Sequence, residues 1–335
     1  WSSDVCSSDL TRNLGGGKDR PDPLRLFARQ FVERAFRRPL TPEQERLYVD
    51  LHFKSAPRPE EAVKRVVLLA LKSPHFLYLG LDRAKPDDFE VASRLSYALW
   101  DSLPDRDLTR RAGQQGLRTP EAVRTQAQRM LKDPRARAKM RSFLHQWLQV
   151  NHVDDLSKDA SVYPGFTPEI IADLRASLDL FLDDVVWSAS SDYRRLLLED
   201  DFWVNQRLAR FYGVGEVASD DFRRVTLNPD QRSGVITHPY LLASFAYAKA
   251  SSPIHRGVFL TRNIVGRALR PPPVAVAFKD AEFDPKLTMR EKVAELTRPQ
   301  ACQSCHSVIN PLGFTLEHFD AVGRFRTREG DRPID

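Results

Sequence analysis

The chain reads as mainly α-helical: multi-helix domains followed by a small helical module with irregular, proline-rich connections. Three observations predict this. Apolar residues recur at helical rather than strand spacing through most of the chain. Threonine–proline–glutamate runs, the grammar of a helix start, recur at Thr41, Thr119 and Thr167. Glycine and proline punctuation thickens from about residue 221 onward, so irregular backbone is expected there.

The first ten residues, Trp1 to Leu10, back-translate to a run resembling a sequencing adapter and read as an artefact, not native chain. Residues 11–21 read as a linker. Gly15-Gly16-Gly17-Lys18 is no phosphate loop, because the pattern's first glycine would fall on Arg12 and its serine or threonine on Asp19. A small helical domain is expected over 22–82. Leu24, Phe27, Ala28, Phe31 and Ala35 form a helical stripe, and Thr41-Pro42-Glu43-Gln44 supplies an N-cap, an N1 proline and a capping-box glutamine. Val63, Val66, Val67, Ala70 and Leu71 mark another apolar face, which Ser73-Pro74 ends.

The charged run Asp82 to Asp88 leads into a second helical domain, 88–220. Ile171, Leu174, Leu178, Phe181, Leu182 and Val185 form its clearest stripe. Trp100, Trp147, Trp187 and Trp203 lie among such aliphatics and are expected to pack in the interior. The third region, 221–335, starts with a possible short strand at Phe222–Leu227. Arg270-Pro271-Pro272-Pro273 should be a stiff extended connector, and the capping box Thr288-Met289-Arg290-Glu291 opens a helix that ends near Pro299.

Composition is globular, with 41% hydrophobic and 29% charged residues. No apolar run approaches the ~20 residues a membrane span needs. The net charge of +6 is spread among residues of both signs without a Lys/Arg block. That pattern reads as solvated surface and not as a nucleic-acid or membrane patch. The start is not a natural N-terminus, so a signal peptide would not be seen, and the end at Pro333-Ile334-Asp335 also reads as a truncation.

Near the end lies Cys302-Gln303-Ser304-Cys305-His306. C-x-x-C-H is the attachment signal for a c-type haem: two thiols add to the haem vinyl groups and the adjacent histidine becomes an axial iron ligand. Cys6 falls in the artefact, which leaves Cys302 and Cys305 as the native thiols. His306 is then the proximal ligand. Its other ring nitrogen needs an acceptor, expected from a backbone carbonyl in Ile309–Leu312, with Pro311 stiffening the turn.

Several further motifs occur in fixed order. They are Arg94-Leu95-Ser96-Tyr97 with Leu99 to Asp105, Asn205 to Gly213, Ser252-Pro253-Ile254-His255-Arg256-Gly257, Asn310-Pro311-Leu312-Gly313, and Glu317 to Arg324. With C-x-x-C-H they resemble the planctomycete-type cytochrome-c-domain proteins, which carry tandem domains of unknown function ending in a haem module. The resemblance spans roughly residues 25 to 335. It implies a cytochrome-c-like haem-binding module over 221–335, an exported or periplasmic protein, one covalently bound haem c, and a fragment of a longer chain.

The leading expectation is therefore electron transfer to a redox partner protein of unknown identity. The distal iron ligand stays open, because Met130, Met140 and Met289 all precede the motif. Met289, His318 and His255 are the candidates. An open distal position would instead suit a peroxidase-like haem enzyme. Arg324 is a candidate partner for a haem propionate, beside Arg256, Arg262, Arg267 and Arg326, which also flank the motif in sequence. A structural zinc site is the remaining rival: Cys302, Cys305 and His318 match three-quarters of a Cys2His2 pattern, but no histidine follows at the required spacing.

Overall fold

A computed structural model of the chain describes residues 22–80, 86–151, 156–215, 217–270 and 278–334. The artefact and linker (1–21) and the three prolines of the connector lie outside them. The protein is 57% helical and 5% strand, as the sequence predicts. The described residues divide into two compact units, one ending at Lys139 and the other starting at Met140.

In the first unit α1 (Pro23–Phe36) is capped by the Asp22 carboxylate and buries Ala28, Val32, Ala35 and Phe36. It is followed by α2 (Pro42–Glu45), which carries both hydrogen bonds of the expected capping box, a π-helical turn over Arg46–Asp50, and α3 (Leu51–Ser55). Helix α4 (Pro59–Lys72) packs on α1 through Ala62, Val66 and Ala70. Small side chains carry that contact, and Leu71 of the expected stripe is 39% exposed. Ser73 ends α4 and caps α5 (Pro74–Leu77). Arg37, in left-handed backbone after α1, donates to the carbonyls of Ala35, His75, Phe76 and Tyr78, which joins α1 to α5. Then come α6 (Asp88–Trp100), α7 (Arg106–Gly113), α8 (Pro120–Met130) and the start of α9 (Pro134–Trp147), whose residues from Met140 onward belong to the second unit. The Trp100 indole donates to the Met130 carbonyl and lies under Arg135, so this tryptophan is structural.

The second unit is built on α10 (Pro168–Trp187), whose Thr167 cap and buried stripe from Leu174 to Val185 match the sequence reading. After α11 (Arg195–Leu198), strand β1 (Asp201–Val204) pairs antiparallel with β2 (Arg223–Thr226) across α12 (Gln206–Tyr212). The expected strand near Phe222–Leu227 is therefore present. Then follow α13 (Pro239–Ser244), α14 (Pro253–Phe259) with a π-helical extension over Leu260–Ile264, α15 (Met289–Leu296) and α16 (Gln300–Phe314). A short hairpin of β3 (Arg328–Glu329) and β4 (Arg332–Pro333) comes last. One hydrophobic core runs from Leu144 to Val322. Residues 140–220 thus fold together with 221–334, because the α10 stripe is covered by apolar residues from Val235 to Leu260 and from Leu316 to Val322. No helix among the described residues is long and apolar enough to cross a membrane.

Candidate functional site

Helix α16 carries the C-x-x-C-H motif within it, one turn after Pro299. At 3.6 residues per turn, Cys302, Cys305, His306, Ile309 and Gly313 share one stripe about 100° wide. The C-terminal half of that stripe is buried on α14. A Cβ on Gly313 would lie 2.7 Å from the carbonyl carbon of Pro253, and one on Gly257 would lie 2.9 Å from that of Ile309. These pairings run in opposite senses, so α14 and α16 are antiparallel and touch backbone to backbone. Towards the N-terminus of α16 the stripe continues as His306, Cys305 and Cys302, alongside the π-helical turn at Leu260–Ile264. There it is only half-buried, and both thiols are free.

His306 is held by a chain of hydrogen bonds whose direction is fixed. The Thr297 hydroxyl donates to the Val293 carbonyl at 2.8 Å, so it can only accept from the Asn310 amide nitrogen, also at 2.8 Å. The Asn310 side-chain oxygen then faces His306 Nδ1 at 2.9 Å, which makes Nδ1 the protonated nitrogen. Nε2 keeps its lone pair for a metal. The acceptor is the Asn310 side chain and not the backbone carbonyl expected from the sequence. Pro311 differs too, for it lies exposed inside α16 and not in a turn.

The other candidate residues lie apart from this stripe or are engaged elsewhere. Met289 is buried at the start of α15 with its N–H on the Glu329 carboxylate, while Arg290 beside it covers Phe314 at the far end of α16 from the cysteines. Thr297, the residue that reaches Asn310, lies eight positions later, about 12 Å along a helical rise. His255, near the start of α14, has its ring tilted against Tyr247. The packed surroundings, and then the Lys158 ammonium, lower its pKa and favour the neutral imidazole. His318 stacks on Phe325 at 5.7 Å. Arg324 lies over the Phe211 ring at 3.9 Å. Among the described residues no polar or ring contact of His318 or Arg324 reaches Cys302, Cys305 or His306.

The remaining arginines divide clearly. Arg256 is buried and donates to the carbonyls of Leu242, Leu316, Phe319 and Asp320, gathering the chain that leaves α16 onto α14. Burial pulls its pKa down to about 10, still far above neutrality, and Glu317 lies 3.7 Å away. Burial pushes the Glu317 carboxyl up, against the pull of Arg256 and of the Ser251 hydroxyl that donates to it. Arg326 donates to the same carboxylate and to the Glu317 carbonyl. By contrast Arg262 and Arg267, on and just after the π-helical turn, are exposed and have no carboxylate partner among the described residues.

A c-type haem fits these residues. It brings four ligands of its own and asks the protein for two thiols and one axial nitrogen, which α16 supplies on one half-buried face. Zinc asks for four protein ligands. Among the described residues no three His, Cys, Asp or Glu side chains converge where a metal ion could be held. Sequence reasoning missed Thr297 and Asn310 as the supports of His306. The i, i+4 spacing of His306 and Asn310 was the available signal.

The fold and motif together define a mainly helical chain of tandem domains whose last region contains a C-x-x-C-H helix. Three family profiles match it in succession: protein of unknown function DUF1595 (PSD5) over 24–80, DUF1592 (PSD4) over 87–214, and DUF1588 (PSCyt3) over 232–329. This tandem set is typical of the planctomycete-type cytochrome-c-domain proteins. No curated protein and no solved structure matches the chain.

Proposed function

We propose that the chain is an exported haem c protein that exchanges electrons with a redox partner through one covalently attached haem. The observation that carries this reading is the α16 stripe: Cys302, Cys305 and His306 share one half-buried face, and Asn310 holds the proton of His306 at Nδ1. In this reading the thiols of Cys302 and Cys305 form the thioether links and His306 Nε2 is the proximal ligand. Arg262 and Arg267, exposed beside the same stretch, supply cations for the propionates. When bound, haem c supplies a one-electron couple. Asn310 and Thr297 orient the imidazole and raise its basicity as a ligand.

A peroxidase-type haem enzyme is the second reading. It is favoured by one observation: Met289 is buried at the start of α15, His318 stacks on Phe325, and His255 leans on Tyr247, so each distal candidate has another role in the fold.

Production in a host with cytochrome c maturation, followed by denaturing gels and a pyridine haemochrome spectrum, tests the proposal. One haem per chain should survive denaturation and be lost in a Cys302→Ala/Cys305→Ala variant. Stoichiometric zinc with no retained haem would overturn it. A low-spin ferric spectrum insensitive to cyanide supports the carrier, and a high-spin form that turns over peroxide supports the enzyme.

A further inference from the structure

Two of the ordered sequence motifs take no part in the α16 stripe. They are Asn205–Gly213 and the end of Glu317–Arg324, and the fold brings them together. The Tyr212 hydroxyl donates to the Val322 carbonyl at 2.8 Å, Arg324 stacks on Phe211, and Arg232 lies over both Tyr212 and Phe319. Around this junction opens a cleft of about 620 Å³, within the size range of small-molecule sites. Tyr212, Val225, Leu227 and Phe325 give it apolar walls, and Arg232 and Arg324 line it as well. Part of its wall comes from Gly215 and from Val225, Leu227 and Gln231, which lie between the two family-profile matches.

Among the described residues the charged side chains lining it are Arg232 and Arg324. No carboxylate lines the cleft among the described residues. The Arg324 guanidinium has no hydrogen-bond partner there, so its planar fork of donors is unused while Phe211 holds the plane still. Arg232 is anchored by the Thr237 and Gly323 carbonyls. The nearby Asp320 carboxylate is spent on the backbone N–H groups of Val322 and Arg324. Burial holds the Arg232 pKa down to about 10, a sign that its charge is poorly solvated and would gain from an anion.

We infer that this cleft binds a small organic carboxylate with a planar apolar body, its carboxylate on Arg324 and Arg232 and its body against Phe325, Val225 and Leu227. A bidentate guanidinium–carboxylate pair matches the geometry of the Arg324 fork. The site does not depend on haem.

Benzoate titrated into the full chain by calorimetry, with acetate and benzyl alcohol as controls, tests the inference. Benzoate should bind one per chain and at least about 10-fold more tightly than either control, since acetate lacks the body and benzyl alcohol the charge. Arg324→Gln should weaken benzoate about 10-fold or more, whereas Arg175→Gln, at an exposed position of α10, should not change it. Amide NMR shifts induced by benzoate should fall at 212–215, 225–232 and 324–325, a readout that needs no variant. Absence of binding, equal binding of benzyl alcohol, an unaffected Arg324→Gln protein or shifts centred elsewhere would each overturn the inference. The same titration on Cys302→Ala/Cys305→Ala protein should give the same affinity, which separates this result from the fate of the haem proposal.

Discussion

Gly313→Ala should loosen the crossing on which the haem motif depends. Neither Gly313 nor Gly257 has a positive φ, so the backbone itself admits alanine, and in a helix interior the change normally stabilises by about 1 kcal/mol. Here the new Cβ would lie 2.7 Å from the Pro253 carbonyl carbon and 3.1 Å from its Cα. Carbon atoms rest at roughly 3.5–4.0 Å, so α14 and α16 must part by nearly 1 Å. The obstacle is backbone, which cannot rotate away as a side chain can. The cost should therefore reach the upper end of overpacking penalties, about 3 kcal/mol. The net loss is about 2 kcal/mol, or a fall in Tm of roughly 4–8 °C for a unit of this size. Thermal denaturation followed by circular dichroism checks it, with Gly257→Ala expected to behave alike. Gly113→Ala is the opposite case: its Cβ would meet only Phe89 at 3.8 Å, so that variant should gain roughly 0.5–1 kcal/mol. A Gly313→Ala protein as stable as the unaltered chain would refute the close crossing.

Other consequences follow from the buried polar groups. Arg256→Met strands four carbonyls and leaves buried Glu317 with Arg326 but without its second cation, at a cost of roughly 3–5 kcal/mol; adding Glu317→Gln should recover part of this in urea denaturation. Thr297→Val removes the partner of the buried Asn310 amide and should cost roughly 1–3 kcal/mol. Nitrogen-15 NMR of the haem-free chain should find His306 protonated at Nδ1, a preference lost in Asn310→Leu. His238 is buried, caps α13 by accepting the Tyr240 N–H, and has its pKa lowered by burial to about 3. The unfolded chain binds a proton near pH 6.5 and the folded one does not until about pH 3, so this stability is complete above pH 6.5 and drains away as the pH falls. The slope should approach roughly 1.4 kcal/mol per pH unit. His238→Asn, which keeps an acceptor for the cap, should show a flatter dependence of Tm on pH, and an equal slope in both proteins would count against the assignment.

Helix starts were legible in the sequence because their chemistry is local. Thr41, Thr119, Thr167 and Thr288 each accept from the N3 amide, and two of them close a full capping box. The long stripe of α10 was legible for the same reason: burial at period 3.6 leaves a trace in one segment. Partnerships between distant segments leave no such trace. Nothing local in Val63 to Leu71 says that the small residues of α4 will meet α1 while Leu71 faces water. Nothing in Arg324 says that it will lie on Phe211, more than a hundred positions earlier. The two cysteines and His306 were legible as a ligand set because attachment chemistry fixes their spacing. Their support was not, since the acceptor for His306 depends on Thr297, which another helix delivers.

That dependence explains why the ordered motifs around C-x-x-C-H contain few ligand types. Ser252 to Gly257 and Asn310 to Gly313 are the two sides of one contact. Gly257 and Gly313 let the backbones touch, and Arg256 ties down the chain leaving α16 through four carbonyls. Asn310, on the same turn as Gly313, fixes the His306 proton. An axial ligand is useful only if its ring is held in one orientation, and a helix crossing without intervening side chains is among the stiffest supports a small domain can offer. Variants that leave Cys302, Cys305 and His306 intact but open this crossing should therefore disturb the His306 environment as surely as a change in its direct partner. Gly313→Ala should shift the nitrogen-15 signals of the His306 ring even at temperatures where the chain remains folded, and unchanged signals would mean that the crossing and the histidine are mechanically independent.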